Sequence, residues 1–160
     1  MTNKTPQQLG HEFQDKVQAV LDELHTTHKT KTQRLYDTKS AGAMMPSQPA
    51  DFFTVWYGKA FMIEAKASVA HRSMAGSRKA LTSLVGKEQA AKIRVWERAG
   101  AVGWYIFKSV EDKEVEIWPG TLVAQTLVTP KATLDEEDRI DRFPFKHLQD
   151  RLMCAMEAEL

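Results

Sequence analysis

A chain of 160 residues, 42% apolar and 27% charged, suits one globular domain with a single sizeable core. No run approaches the roughly 18 apolar residues of a membrane span, and the polar start "MTNKTPQQLG" lacks the apolar stretch of a secretory leader. One cysteine, Cys154, excludes an internal disulfide and fits a reducing compartment, so a cytoplasmic protein is expected. The net charge of +1 hides an asymmetry: residues 1–110 hold 16 Lys and Arg against 9 Asp and Glu, whereas residues 111–160 hold 6 against 12. The excess is sharpest where Lys66, Arg72, Arg78, Lys79, Lys87, Lys92, Arg94 and Arg98 face only Glu88 and Glu97. Such a patch is an electrostatic footprint for phosphate, although a solvated helix face and loop would carry the same charges.

Thr5-Pro6 predicts a helix start, after which Leu9, Phe13, Val17, Val20, Leu21 and Leu24 keep helical spacing to about His25. Glu12 sits at the edge of that stripe. "TQRLYDT" (32–38) reads as a strand and "KSAGAMMPSQP" (39–49) as a loop. Residues 51–57 and 60–65 read as a hairpin turning on Gly58-Lys59. The basic stretch 68–83 reads as a mobile loop. A helix follows from about Leu84 to Ala99, with Val85, Gln89, Ile93 and Trp96 on one stripe and Gly100 ending it. "AVGWYIFKS" and "EVEIW" are strands, and Pro119-Gly120 breaks the second. "LDEEDRIDRF" reads as a solvated linker. Phe145, Leu148, Leu152, Met153 and Met156 mark a last amphipathic helix to Leu160. The expected architecture is α/β, a mixed central sheet flanked by helices in a single domain.

The chemistry gathers in "ADFFTVWYGKAFMIEAKAS" (50–68), where Glu64 and Lys66 end the most apolar run of the chain. Buried charges are costly unless paired or used. If Gly58-Lys59 is the whole turn, Tyr57 pairs with Ala60 and Asp51 with Lys66. Side chains alternate along a strand, so Asp51, Glu64 and Lys66 then share a face within reach of one cation. A slip of one residue would turn Asp51 away. Carboxylate oxygens without neighbouring His or Cys suit Mg²⁺, or Mn²⁺ as its substitute, better than zinc. His11, His25, His28, His71 and His147 show no zinc spacing. Two carboxylates, a divalent ion and a lysine beside the attacking water are the parts needed to hydrolyse a phosphodiester. An ion pair between Asp51 and Lys66 bordering the sheet is the structural alternative. Gln89, polar on an apolar stripe, asks for a polar partner such as a catalytic edge.

This pattern resembles the PD-(D/E)xK nuclease superfamily. The likeness rests on Pro49-Ala50-Asp51 and Glu64-Ala65-Lys66, with Glu12 in the first helix and Gln89 in the helix after the core strands. The proline stands one residue further from the aspartate than the family pattern has it. Within the superfamily the order "GHEFQDKV", hairpin, "IEAKAS", basic loop, "KEQ" helix and "AGAVGWYIF" is similar to small Holliday-junction resolvases of the RecU-like, archaeal and phage kinds, over about residues 9–118. Residues 119–160 match nothing in the family and stand as a C-terminal extension. The resemblance implies a restriction-endonuclease-like core and a Mg²⁺-dependent DNA endonuclease acting on four-way junctions as a homodimer in a bacterial cytoplasm, encoded by the cell or by a phage. It implies metal binding by Asp51, Glu64, the Ala65 carbonyl and Glu12, nucleophile positioning by Lys66, and support from Gln89. Arg72, Arg78, Lys79, Lys87, Lys92 and Arg94 are the expected DNA contacts. A nuclease of the same fold acting on other DNA, of restriction or linear-duplex type, and a non-catalytic nucleic-acid-binding module are the alternatives.

Overall fold

The computed structural model of the protein describes residues 3–36 and 48–160. Helix α1 (Pro6–Thr27) opens through a reciprocal capping box: the Thr5 hydroxyl accepts from the Gln8 amide at 3.2 Å, and the Gln8 side chain accepts from the Thr5 amide at 2.8 Å. Its apolar stripe buries Phe13, Val17, Leu21 and Leu24. Strand β1 (Thr30–Arg34) begins two residues before the predicted one; the predicted strand end at 37–38 and most of the predicted loop, including Lys39, lie outside the described residues.

The hairpin of β2 (Phe52–Trp56) and β3 (Lys59–Ser68) turns on Tyr57-Gly58 rather than Gly58-Lys59. Both turn residues have positive φ, 47° and 86°, the demand of a type I′ turn, and glycine meets it at the second position. Tyr57 tolerates the first because its amide donates to the Lys29 carbonyl at 2.8 Å and its ring packs edge-on against Trp56. The ladder therefore pairs Trp56 with Lys59 and Phe52 with Ile63, a displacement of two residues from the expected register. Two is the side-chain period of a strand, so every residue keeps its expected face while its partner changes.

Strand β4 (Val102–Ser109) runs parallel to β3, and β5 (Glu114–Pro119) and β6 (Asp141–Pro144) follow antiparallel, giving one sheet in the order β1-β2-β3-β4-β5-β6. The β3–β4 crossover contains two helices, α2 (Arg78–Leu84) and α3 (Lys87–Arg98). The first replaces part of the expected mobile loop. The Ser77 hydroxyl caps it, Met74 ahead of it is fully buried, and Ala75 bridges to Leu134. Seven residues burying only Ala80 and Leu81 are too few to show a helical period in sequence. Val85-Gly86 separates the two helices, so α3 starts later than predicted, and Trp96 is 42% exposed rather than on the buried stripe. After β5 comes α4 (Gly120–Val128), which the sequence reading omitted. The expected acidic linker holds a 3-10 turn at Glu136–Asp138 and then β6. A second 3-10 turn, Phe145–His147, leads into α5 (Leu148–Ala158).

Alternation along the strands divides the core. Phe61, Ile63, Ala65, Trp104, Ile106 and Ile117 face α1 and α5. Met62, Tyr105, Phe107 and Trp118 face the layer of α2, α3 and α4. Glu64 and Lys66 fall between the first set along β3, so they belong to the second face. The C-terminal segment supplies both layers: Leu148, Leu152 and Met156 to the first, Val123, Leu127 and Leu134 to the second.

Candidate active site

Continuing the β2–β3 ladder by one step places Asp51 opposite Glu64, not opposite Lys66. Asp51 stands just ahead of β2, where its Oδ2 accepts a hydrogen bond of 2.9 Å from the Ala65 amide and so ties the strand start to β3. Glu64 is 2% exposed. Its Oε1 lies 2.8 Å from Lys66 Nζ, while Oε2 is buried with no hydrogen-bond donor against it among the described residues. Lys66 reaches the surface more than Glu64 does, as a residue two steps nearer the strand end should. The ion pair of the site is thus Glu64–Lys66, and Asp51 is a second carboxyl pressed against it.

That pressure shows in the acidity of Asp51. Burial, and then the Glu64 charge, push its carboxyl up to about 7, against the partial relief given by the Ala65 amide and Lys66. Two carboxylates in one dry pocket repel, and a bound cation is the usual remedy. The donor set fits a hard divalent ion: oxygen ligands only, two carboxylates, and one buried oxygen lacking a partner. Among the described residues no cluster of three or more His, Cys, Asp or Glu side chains forms, so an ion here would keep several waters, as Mg²⁺ commonly does.

The remaining expected residues take different positions. Glu12, on the exposed side of α1, pairs with Lys4 at 2.7 Å and lines a groove with His11 and Asp15. Gln89 is half-buried in the first turn of α3 and has no hydrogen-bond partner among the described residues. Arg72 reaches Glu111 at 3.0 Å and Asp112 at 3.8 Å across the β4–β5 turn. Arg78 has another task. Its guanidinium donates to the carbonyls of Thr126 (2.7 Å), Leu127 (2.7 Å) and Ala132 (3.1 Å), satisfying the C-terminal end of α4. Lys79 and Lys87 are exposed at the starts of α2 and α3, Lys92 pairs with Glu88, and Arg94 is half-buried near Glu97.

The chain matches no protein-family model and no curated protein. Among solved structures, Archaeoglobus fulgidus Hjc, described as a Holliday junction resolvase from an archaeal hyperthermophile, aligns over 80% of this chain and 89% of its own. The identity is 17% and the TM-score 0.47. This chain is similar to that resolvase.

Three polar residues on the Glu64 side of the sheet, Tyr105 and Glu116 buried and Glu97 half-buried, escaped the sequence reading. Tyr105 is the β4 partner of Glu64, and burial together with the charges of Glu64 and Glu97 pushes its phenol up. Glu97, raised by burial, comes from α3 and bonds to Thr121 and the Gly103 backbone. Glu116, 1% exposed, accepts from Trp118 Nε1 (2.8 Å) and the Met74 amide (3.2 Å) and lies 3.4 Å from Arg139. The available signal was period-2 alternation: positions 103, 105 and 107 share the Glu64 face, so a tyrosine there stands beside a carboxylate.

Proposed function

We propose that this protein is a divalent-metal-dependent DNA endonuclease that hydrolyses phosphodiesters in four-way junctions. The observation that carries the reading is the Asp51–Glu64–Lys66 cluster: two opposed carboxyls, one buried oxygen without a donor, and a lysine 2.8 Å from the second carboxylate. Asp51, Glu64 and the Ala65 carbonyl would hold Mg²⁺ or Mn²⁺, whereas Glu12, exposed on α1 at the other face of the sheet and paired with Lys4, takes no part. The ion supplies charge neutralisation at the phosphoryl oxygens and lowers the pKa of water. Lys66 orients the attacking water beside Glu64 and adds positive charge to the transition state. Water oxygen bonds to phosphorus as a P–O ester bond breaks, and the leaving oxygen takes a proton. Exposed Lys79 and Lys87, with Arg72, Lys92 and Arg94, lead the backbone to the site, whereas Arg78 serves the fold. Symmetrical cutting of two strands entails a homodimer.

The decisive experiment offers the purified protein a four-way junction, a linear duplex and a single strand, with Mg²⁺ and with chelator. Junction cleavage that needs the ion is expected. Lys66→Ala should cut at least roughly a hundred-fold more slowly while binding DNA within a few-fold. Equal cutting of duplex and junction would move the substrate to linear DNA. Full activity of Lys66→Ala, or no cutting of any DNA, would sink the endonuclease reading.

A further inference from the structure

Tyr105 stands directly opposite Glu64 in the parallel β3–β4 ladder, and the pair shares the sheet face beneath α3. The phenol is fully buried, and among the described residues neither its hydroxyl nor Glu64 Oε2 has a hydrogen-bond partner. One atom is a donor and the other an acceptor, and leaving either unmet in the interior is costly. Glu97 is the competing acceptor, and among the described residues its Oε2 is likewise buried without a partner. Its carboxyl is also served by the Thr121 side chain and amide and by the Gly103 amide, and it comes from α3, whereas Glu64 is the direct neighbour of Tyr105 in the sheet ladder.

We infer that Tyr105 is a positioning residue for Glu64: its buried hydroxyl donates toward the Glu64 carboxylate, directly or across one water, and holds that carboxylate in place to receive the ion. The inference deepens the proposed function and rests on Glu64 being a metal ligand. Lys66 then anchors Oε1 from the solvent side while Tyr105 anchors Oε2 from the core side. The carboxylate between them cannot swing toward Asp51 or away from it. Outer partners of metal ligands act this way, and their loss typically costs about 10–100-fold in metal affinity.

Tyr105→Phe removes one oxygen and keeps the ring. Calorimetric titration with Mn²⁺ should show binding weakened roughly ten-fold. Junction cleavage should fall in kcat with KM for DNA unchanged, and the melting temperature without metal should stay within a few degrees. Melting the wild type, Tyr105→Phe, Glu64→Gln and the double variant without metal tests the contact apart from the ion. Non-additive shifts are expected, because either single change already disrupts the one contact that the two groups share. Wild-type Mn²⁺ affinity in Tyr105→Phe, or additive shifts, would overturn the inference and leave the metal reading standing. A wild type that binds no Mn²⁺, with non-additive shifts, would remove the metal reading and keep the contact.

Discussion

Asp51 shows how one buried carboxyl can weigh on stability. Its carboxyl is held up at about 7 against an ordinary 3.8, first by burial and then by Glu64. The folded protein therefore keeps a proton that the unfolded chain releases. Below about pH 4 the carboxyl is protonated in both states and contributes nothing. As pH rises toward 7 the unfolded state gains from ionising, and above 7 the full cost applies. Asp51→Asn presents a neutral side chain at every pH. Without metal it should raise the unfolding free energy near pH 8 on the order of 2–4 kcal/mol, with little change near pH 4. It should also abolish Mg²⁺-dependent cleavage. Thermal melts at the two pH values check the sign, and equal shifts at both would mean the carboxyl is not strained by its surroundings. Added Mg²⁺ should raise the melting temperature of the wild type and leave that of Asp51→Asn unmoved.

Between elements, Arg78 and Glu97 together hold α4. Arg78 reaches from α2 to two carbonyls at the C-terminal end of α4 and to that of Ala132 in the segment after it, and Glu97 from α3 bonds to Thr121 at its start. A carboxylate at a helix N-terminus and a guanidinium at its C-terminus both complement the helix dipole. Arg78→Met keeps the stem but strands the carbonyls. It should cost roughly 2–3 kcal/mol, or on the order of 5–10 °C for a chain of this size. The slope of DNA affinity against salt should not change, since this cation is not available to phosphate. A flattened slope with an unchanged melting temperature would return Arg78 to the DNA contacts. The same packing explains two glycines. A Cβ on Gly103 would lie 2.5 Å from both Glu97 Oε1 and Ile93 Cγ2, and one on Gly120 would lie 3.0 Å from the Gly103 carbonyl oxygen. Gly103→Ala should therefore destabilise by about 1–3 kcal/mol through overpacking, read as a lower denaturation midpoint.

At the scale of the whole molecule, the acidic C-terminal part belongs to the central sheet and its helical layers. Asp141 pairs with Arg151 at 2.7 Å, Glu114 with Arg142 at 2.8 Å, and buried Glu116 with Arg139, so Arg139, Asp141 and Arg142 of the expected linker are paired within the fold while residues 135–138 are exposed. Leu148, Leu152 and Met156 of α5 are buried against Phe13, Val17 and Ile117. Burying such side chains contributes roughly 1.5–3 kcal/mol each, so the three approach the 5–15 kcal/mol net stability of an ordinary domain. A chain ending at residue 144 should show no cooperative thermal transition and should expose apolar surface to a hydrophobic dye. A cooperative transition near that of the full chain would make α5 dispensable.

Several features follow from residue order alone, because they depend on local chemistry. Thr5, Pro6 and Gln8 specify the start of α1, and a 3.6-residue period specifies its buried face. Alternation in β3 places Glu64 and Lys66 together, and an even displacement of the hairpin could not separate Asp51 from them. Tertiary structure decided what locality cannot carry. The turn settled on Tyr57-Gly58 because distant Lys29 satisfies the Tyr57 amide, and that choice gave Glu64 rather than Lys66 to Asp51. Short α2 and β6 take their order from partners far along the chain, Arg78 finds carbonyls some 50 positions away, and Tyr105 meets Glu64 only because β4 lies parallel to β3. A sequence states which side chains are costly to bury, but the partner that offsets the cost is chosen by the fold.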